Sequence, residues 1–181
     1  MQYSWCPTGI LLGLLMFQPA VAGPLRQRSD PLVPAPASRV AVQLSGPSQP
    51  ARAGLPFVVA AEVTPRAGIH VYAPGNRDYI PVALTLDWPQ GVRVKEPVYP
   101  PGEPFIFGPL KEVVTTYHRP FRITQQATVF AGTPAARARS LEITGVLRYQ
   151  ACDERICFPV DSIPLRLTIP LDATRKRSRG K

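Results

Sequence analysis

Cys152 and Cys157 carry most of the chemical potential of this sequence. They stand in the run Tyr149-Gln150-Ala151-Cys152-Asp153-Glu154-Arg155-Ile156-Cys157-Phe158-Pro159. Two thiols at this spacing can close a disulfide, and such a bond has two uses. It can staple a hairpin, or it can open and close as a redox pair. A closed loop of about six residues stabilises a fold by roughly 2 kcal/mol, against roughly 4.7 kcal/mol for a loop of about 100. A staple here therefore contributes little, whereas short spacing keeps the thiols together after reduction, which suits reversible exchange. The spacing alone leaves both readings open. Among the flanking charges, Asp153 and Glu154 disfavour a thiolate and Arg155 favours one.

Other chemistries find little support. His70 and His118 are the only histidines, and no CxxC or HxxxH spacing would make a zinc site with the cysteines. Neither histidine has an identifiable orienting partner for Cys-His catalysis. There is no Gly-rich phosphate loop, and the carboxylates are few and scattered. No metal and no cofactor is expected. The net charge is +9, but Arg175, Lys176, Arg177, Arg179 and Lys181 supply five of those charges in the last seven residues. Residues 173–181 read as a disordered basic tail. No basic stretch is interleaved with aromatics, so nucleic-acid binding is not expected.

The elements that must position the cysteines are strands. Proline is 23 of 181 residues, and an interior proline costs a helix about 3 kcal/mol. The 45 % hydrophobic content suffices for a core. Apolar residues alternate with period two at Val40, Val42 and Leu44, at Phe57, Val59, Ala61 and Val63, at Leu84, Leu86 and Trp88, at Leu141, Ile143, Leu147 and Tyr149, and at Leu165, Leu167, Ile169 and Leu171. Ile69 to Tyr72 is a short extended piece. Val92 to Val98 is a ragged strand, and Val113 to Phe130 gives two strands broken near Pro120 or Gln125-Gln126. Pro100 to Pro104 reads as a loop, and Ala135 to Arg139 as a loop or one helical turn. About eight antiparallel strands with turn signals every 8–12 residues predict an all-β, immunoglobulin-like sandwich.

At the amino terminus, the apolar run Ile10 to Phe17 precedes Ala20-Val21-Ala22, a pattern suited to signal peptidase. The run is shorter than the roughly 20 residues that span a bilayer. Residues 1–22 read as a cleaved signal peptide, with an uncleaved anchor as the competing reading. Cleavage removes Cys6 and leaves Cys152 and Cys157 in an oxidising compartment. Residues 23–38 form a flexible proline-rich leader and 39–172 the folded domain, with no stable membrane insertion after cleavage.

The run Tyr149-Gln150-Ala151-Cys152 … Cys157-Phe158-Pro159 resembles the active-site segment of the N-terminal periplasmic domain of the thiol:disulfide interchange protein DsbD family. Gly68-Ile69-His70-Val71-Tyr72 is similar to that family's Gly-aromatic/His-x-Tyr segment, and Pro104-Phe105-Ile106-Phe107-Gly108 stands where the family has an aromatic cap loop. The resemblance extends over roughly Arg39 to Leu171. It implies an immunoglobulin-like sandwich with Cys152 and Cys157 as the redox pair. His70 and Tyr72 would line the pair, and Phe105, Ile106 and Phe107 would shield it until a partner docks. It also implies a periplasmic relay, with a membrane thiol reductase as electron donor and thioredoxin-fold proteins as acceptors. Full family proteins continue into a membrane domain and a thioredoxin-like domain, so a stand-alone exported copy is expected to borrow its donor. Two other functions compete: a non-enzymatic immunoglobulin-like binding or assembly domain with a structural hairpin disulfide, and metal handling through Cys152, Cys157 and a histidine.

Overall fold

A computed structural model describes residues 38–76, 78–107 and 111–172. The signal peptide, the leader up to residue 37 and the basic tail lie outside the described residues. Strands dominate: β1 (Val40–Ser45), β2 (Pro56–Pro65), β3 (His70–Tyr72), β4 (Ala83–Asp87), β5 (Val92–Val94), β6 (Glu103–Phe107), β7 (Glu112–Tyr117), β8 (Phe121–Val129), β9 (Ser140–Tyr149), β10 (Ala151–Cys152) and β11 (Asp161–Pro170), with one helical turn, α1 (Pro134–Arg137), before β9. The all-β class matches expectation, but the described residues hold eleven strands rather than about eight. The difference comes from short pieces. Residues 92–98 pair fully only over Val92–Val94, and Val98 bridges Thr124 alone. Gln150 separates β10 from β9.

The segment read as a proline loop instead enters β6 at Glu103, with Pro104 opposite Thr115. Pro104 is tolerated because β6 is an edge strand, where a missing N–H breaks no ladder. Pro120 is the break between β7 and β8.

The strands form three sheets, ordered β1-β2-β8-β5, β11-β9-β4 and β10-β3-β7-β6, and every ladder within them is antiparallel. The first two pack face to face. Phe57, Val59, Ala127 and Val129 from one meet Leu141, Ile143 and Ile169 from the other. A second part of the core joins Val40, Ala61, Val63 and Ile123 to Leu84, Leu147, Tyr149 and Leu165. The period-two alternation of β2, β8 and β9 is what delivers one apolar face to each layer. Trp88 is part of this packing, 6.2 Å from Phe57 between ring centroids, and its indole N–H donates to Gln125.

The third, smaller sheet closes onto the same core through one face only: Val71, Ala73, Tyr117 and Ala151 belong to the main cluster. Its other face holds a separate cluster that includes both cysteines. Gly145 shows how closely the long strands pack. A Cβ there would lie 2.3 Å from the Thr85 carbonyl oxygen and 3.0 Å from Leu86 Cα. Backbone cannot yield cheaply, so Gly145→Ala is expected to lower the unfolding free energy by about 1–3 kcal/mol in urea titration. A loss below about 0.5 kcal/mol, the range of neutral surface changes, would show that β4 and β9 can separate without cost.

Candidate functional site

The site is a hairpin tip laid against the edge of the small sheet. The Asp153 N–H donates to the Ile156 carbonyl at 3.0 Å and the Phe158 N–H donates to the Ala151 carbonyl at 2.8 Å. Cys152 and Cys157 face each other between these two bonds. They are therefore a non-hydrogen-bonded antiparallel pair, the arrangement that brings opposing side chains closest. Their Cα atoms are 4.0 Å apart and their sulfurs are joined in a disulfide.

Asp153 makes the tip. Its carboxylate accepts the N–H groups of Arg155 at 2.7 Å and Ile156 at 2.8 Å, and these bonds hold its pKa below the ordinary value. The sequence reading treated Asp153 only as a charge beside a thiol; its structural work is to form the turn that opposes the two cysteines.

Register explains which residues meet the sulfurs. β10 pairs with β3 so that Cys152 opposes His70, and β3 pairs with β7 so that Tyr72 opposes Thr116. β7 pairs with β6 so that Val114 opposes Phe105. Directly opposed residues share a face, so Cys152, His70, Tyr72, Thr116, Val114 and Phe105 all point to the side away from the main core. Gly68 prepares this register: it sits at φ +75° in the turn closed by the Ile69 N–H and the Arg66 carbonyl, just before β3.

Tyr72 is fully buried, and its hydroxyl lies 3.3 Å from Cys157 Sγ and 3.5 Å from Cys152 Sγ. With the disulfide closed, neither sulfur carries a hydrogen, so the hydroxyl donates. Burial, then the nearby Tyr79 and Glu112, push its pKa up to about 12, which keeps that donor protonated at any physiological pH. Tyr79 stacks on Tyr72 with centroids 4.2 Å apart and donates to Glu112 at 2.7 Å. Asn76 ties the intervening loop to β7: its amide donates to the Ala73 and Thr115 carbonyls and accepts the Thr115 N–H. Tyr79, Glu112 and Asn76 were not singled out from sequence. Their spacing from the cysteines carries no signal, because the β3–β7 pairing alone brings them together.

His70 is 3 % exposed, its ring centroid 4.3 Å from that of Phe105. Its Nε2 is one of two buried side-chain polar atoms without a partner among the described residues; the other is Thr116 Oγ1, on the same face. Leaving such a group unpaired costs about 1–3 kcal/mol. Burial, partly offset by Asp153, depresses the His70 pKa. Phe105 is half-buried and packs against Tyr72, Val114 and Cys152. The base of its strand is pinned by Glu103, which accepts from Arg119 Nε at 3.1 Å and lies 3.3 Å from His118 Nε2.

Alternation sends Ile106 to the opposite face, where it opposes Val113 and both are 67 % exposed. Of the residues expected as a shield, the structure thus brings Phe105 to the pair and leaves Ile106 off it. Phe107 lies in β6 by its backbone, and its side chain is outside the described residues. A cleft of about 280 Å³ lined by Gly68, Ile69, His70, Phe105, His118 and Glu154 opens beside the hairpin.

Cys152 is fully buried, while Cys157 is half-buried.

The depressed pKa of His70 has a defined consequence. The folded state keeps the imidazole neutral below its ordinary 6.5, while the unfolded state takes up a proton. Stability therefore declines as pH falls below about 6.5. In His70→Phe this slope of melting temperature against pH is expected to flatten, and an identical slope in both proteins would refute it.

Three comparisons bear on this geometry. The family described as "Thiol:disulfide interchange protein DsbD, N-terminal" matches residues 37–167. No curated protein matches the chain. Among solved structures, the chain is similar to the Neisseria meningitidis DsbD N-terminal domain in the reduced form, at 18 % identity and TM-score 0.42 over 62 % of this chain and 77 % of that one. It is also similar to the N-terminal periplasmic domain of ScsB from Proteus mirabilis, at 15 % identity and TM-score 0.47 over 74 % of this chain and 47 % of that one. The match of the family to residues 37–167 takes in every described strand up to the middle of β11, and with it both arms of the cysteine hairpin. The chain belongs to the family of the N-terminal domain of the thiol:disulfide interchange protein DsbD.

Proposed function

We propose that this protein is a periplasmic thiol:disulfide exchange module that relays electrons through a reversible Cys152–Cys157 disulfide. The observation that carries the reading is the placement of the disulfide. It lies outside the main core, on a separate face of a small sheet, with Cys157 less buried than Cys152 and the Tyr72 hydroxyl within hydrogen-bond distance of both sulfurs. A staple would need neither the graded exposure nor the donor.

In the delivering direction, the Cys157 thiolate attacks one sulfur of a partner disulfide. An S–S bond forms to the partner, and the partner's other sulfur leaves as a thiolate. The Cys152 thiolate then attacks Cys157 Sγ, closing the internal disulfide and releasing the partner's second thiolate. Two electrons pass to the partner, which takes up two protons as its thiols form, and the module is oxidised.

Recharging runs the same steps in reverse, with a thiolate of a reduced donor attacking Cys157 Sγ and Cys152 leaving. Because Cys152 is buried, its departing thiolate is poorly hydrated, and the Tyr72 hydroxyl supplies a hydrogen bond in place of water. Phe105 covers the pair in the absence of a partner, and Tyr72, His70 and Phe105 form its lining. Acceptors of thioredoxin fold and a membrane thiol reductase as donor fit the family. No helix among the described residues is long and apolar enough to cross a membrane.

The trapping experiment tests both the function and the assignment of the attacked sulfur. Cys152→Ala is expected to accumulate mixed disulfides with partner proteins in periplasmic extract, resolved on non-reducing gels, and Cys157→Ala to accumulate far fewer. Monomer alone from both variants, with the fold intact, would leave the hairpin-staple reading. Titration of the folded domain against glutathione and dithiothreitol gives a second measure. An exchange pair is expected well above the roughly −300 mV below which structural bridges lie.

A further inference from the structure

Ser38 and Arg39, the two residues before β1, make contacts that the exchange steps above do not use. The Arg39 guanidinium carbon lies 3.6 Å from the ring centroid of Phe158, the residue that follows Cys157. The Ser38 hydroxyl lies 2.9 Å from the hydroxyl of Tyr149, three residues before Cys152. Tyr149 in turn donates to Asp161 at 3.0 Å. Arg39 is itself held, because its carbonyl accepts the Arg66 N–H at 3.0 Å beside the turn that leads into β3.

Between these contacts lies the base of the cysteine hairpin, where Phe158 pairs with Ala151 through the backbone and the Gln150 amide donates to the Phe158 carbonyl at 3.2 Å. Phe158 packs on the main core with the guanidinium over its ring. Two adjacent residues, remote in sequence from both cysteines, therefore touch Phe158 in the second arm and Tyr149, the end of β9 that leads into the first arm.

We propose that Ser38 and Arg39 form a clasp across the base of the hairpin, and that Arg39 is a positioning residue that sets the equilibrium between the open and the closed cysteine pair. The proposal rests on the exchange reading for its biological meaning, though not for its measurement. When a dithiol reductant such as dithiothreitol opens the pair, the Cys152–Cys157 bond breaks, each sulfur gains a proton, and the reductant's two sulfurs join in a ring. The arms are then kept together by the backbone bonds, the Gln150 side chain, the packing of Phe158, the Asp153 turn and the clasp. The more firmly they are kept, the higher the effective concentration of one thiol at the other, and the more stable the disulfide. A guanidinium over an aromatic face, partly shielded from water, is the kind of contact that can hold an arm without burying it.

The test is the equilibrium constant of the full chain with glutathione or dithiothreitol, measured for wild type, Arg39→Ala, Arg39→Lys and Ser38→Ala. Arg39→Ala is expected to make the disulfide three- to tenfold easier to reduce, about 14–30 mV at 29.6 mV per tenfold for two electrons. Arg39→Lys, which keeps a cation over the ring, is expected to recover much of the difference, and Ser38→Ala to show a smaller shift of the same sign. A merely structural role would lower the melting temperature and leave the constant where it was; that result overturns the proposal. Should Arg39→Ala not fold, Arg39→Met, which keeps the aliphatic stem, is read in the same way. The two readings fail separately. An unmoved constant alongside trapped partners defeats the clasp alone, and a shifted constant with no trapped partner defeats the exchange reading alone.

Discussion

The arrangement depends on one pairing: Cys152 opposite Cys157 at a non-hydrogen-bonded position of a two-residue-deep ladder. Backbone bonds on either side hold the two residues opposite each other, with their Cα atoms 4.0 Å apart. A shift of one residue in the register would send one sulfur to the other face. The Asp153 carboxylate, by taking two backbone N–H groups, fixes the turn that prevents such a shift.

The small sheet supplies what the long sheets cannot. β2, β8 and β9 bury their apolar faces in the main core, where a sulfur would be sealed off. The sheet β10-β3-β7-β6 spends one face on that core and keeps the other for the pair. That second face is apolar enough to bury Cys152 and Tyr72, while Cys157 is half-buried. The unpartnered His70 Nε2 and Thr116 Oγ1 sit on the same face. Polar atoms without partners are costly in a permanent core, and their concentration here marks a surface built less for stability than the rest of the fold.

Electrostatics plays a smaller part than hydrogen bonding at this site. Asp153 lies beside Cys152 in sequence, but its carboxylate is engaged with the turn. The group that meets the sulfurs is a neutral hydroxyl whose pKa burial has pushed to about 12. Such a hydroxyl stays protonated at physiological pH and donates toward the two sulfurs without adding a charge to the site.

The sequence by itself determined the all-β class, the apolar faces of β2, β9 and β11, and a cysteine pair spaced to close a disulfide. These are local properties: alternation with period two, turn residues and thiol spacing are written in neighbouring positions. Gly68-Ile69-His70-Val71-Tyr72 was legible as a segment of interest through its resemblance to a family, though not for what it touches. Tertiary structure alone decided that β6 grows out of a proline loop, that Phe105 turns inward while Ile106 turns out, and that Tyr79, Glu112 and Asn76 support Tyr72. It also decided that Arg39 lies over Phe158. Each of these follows from the pairing of strands distant in the chain, and the register of such a pairing is fixed by the packing of whole faces, which no short stretch of sequence contains.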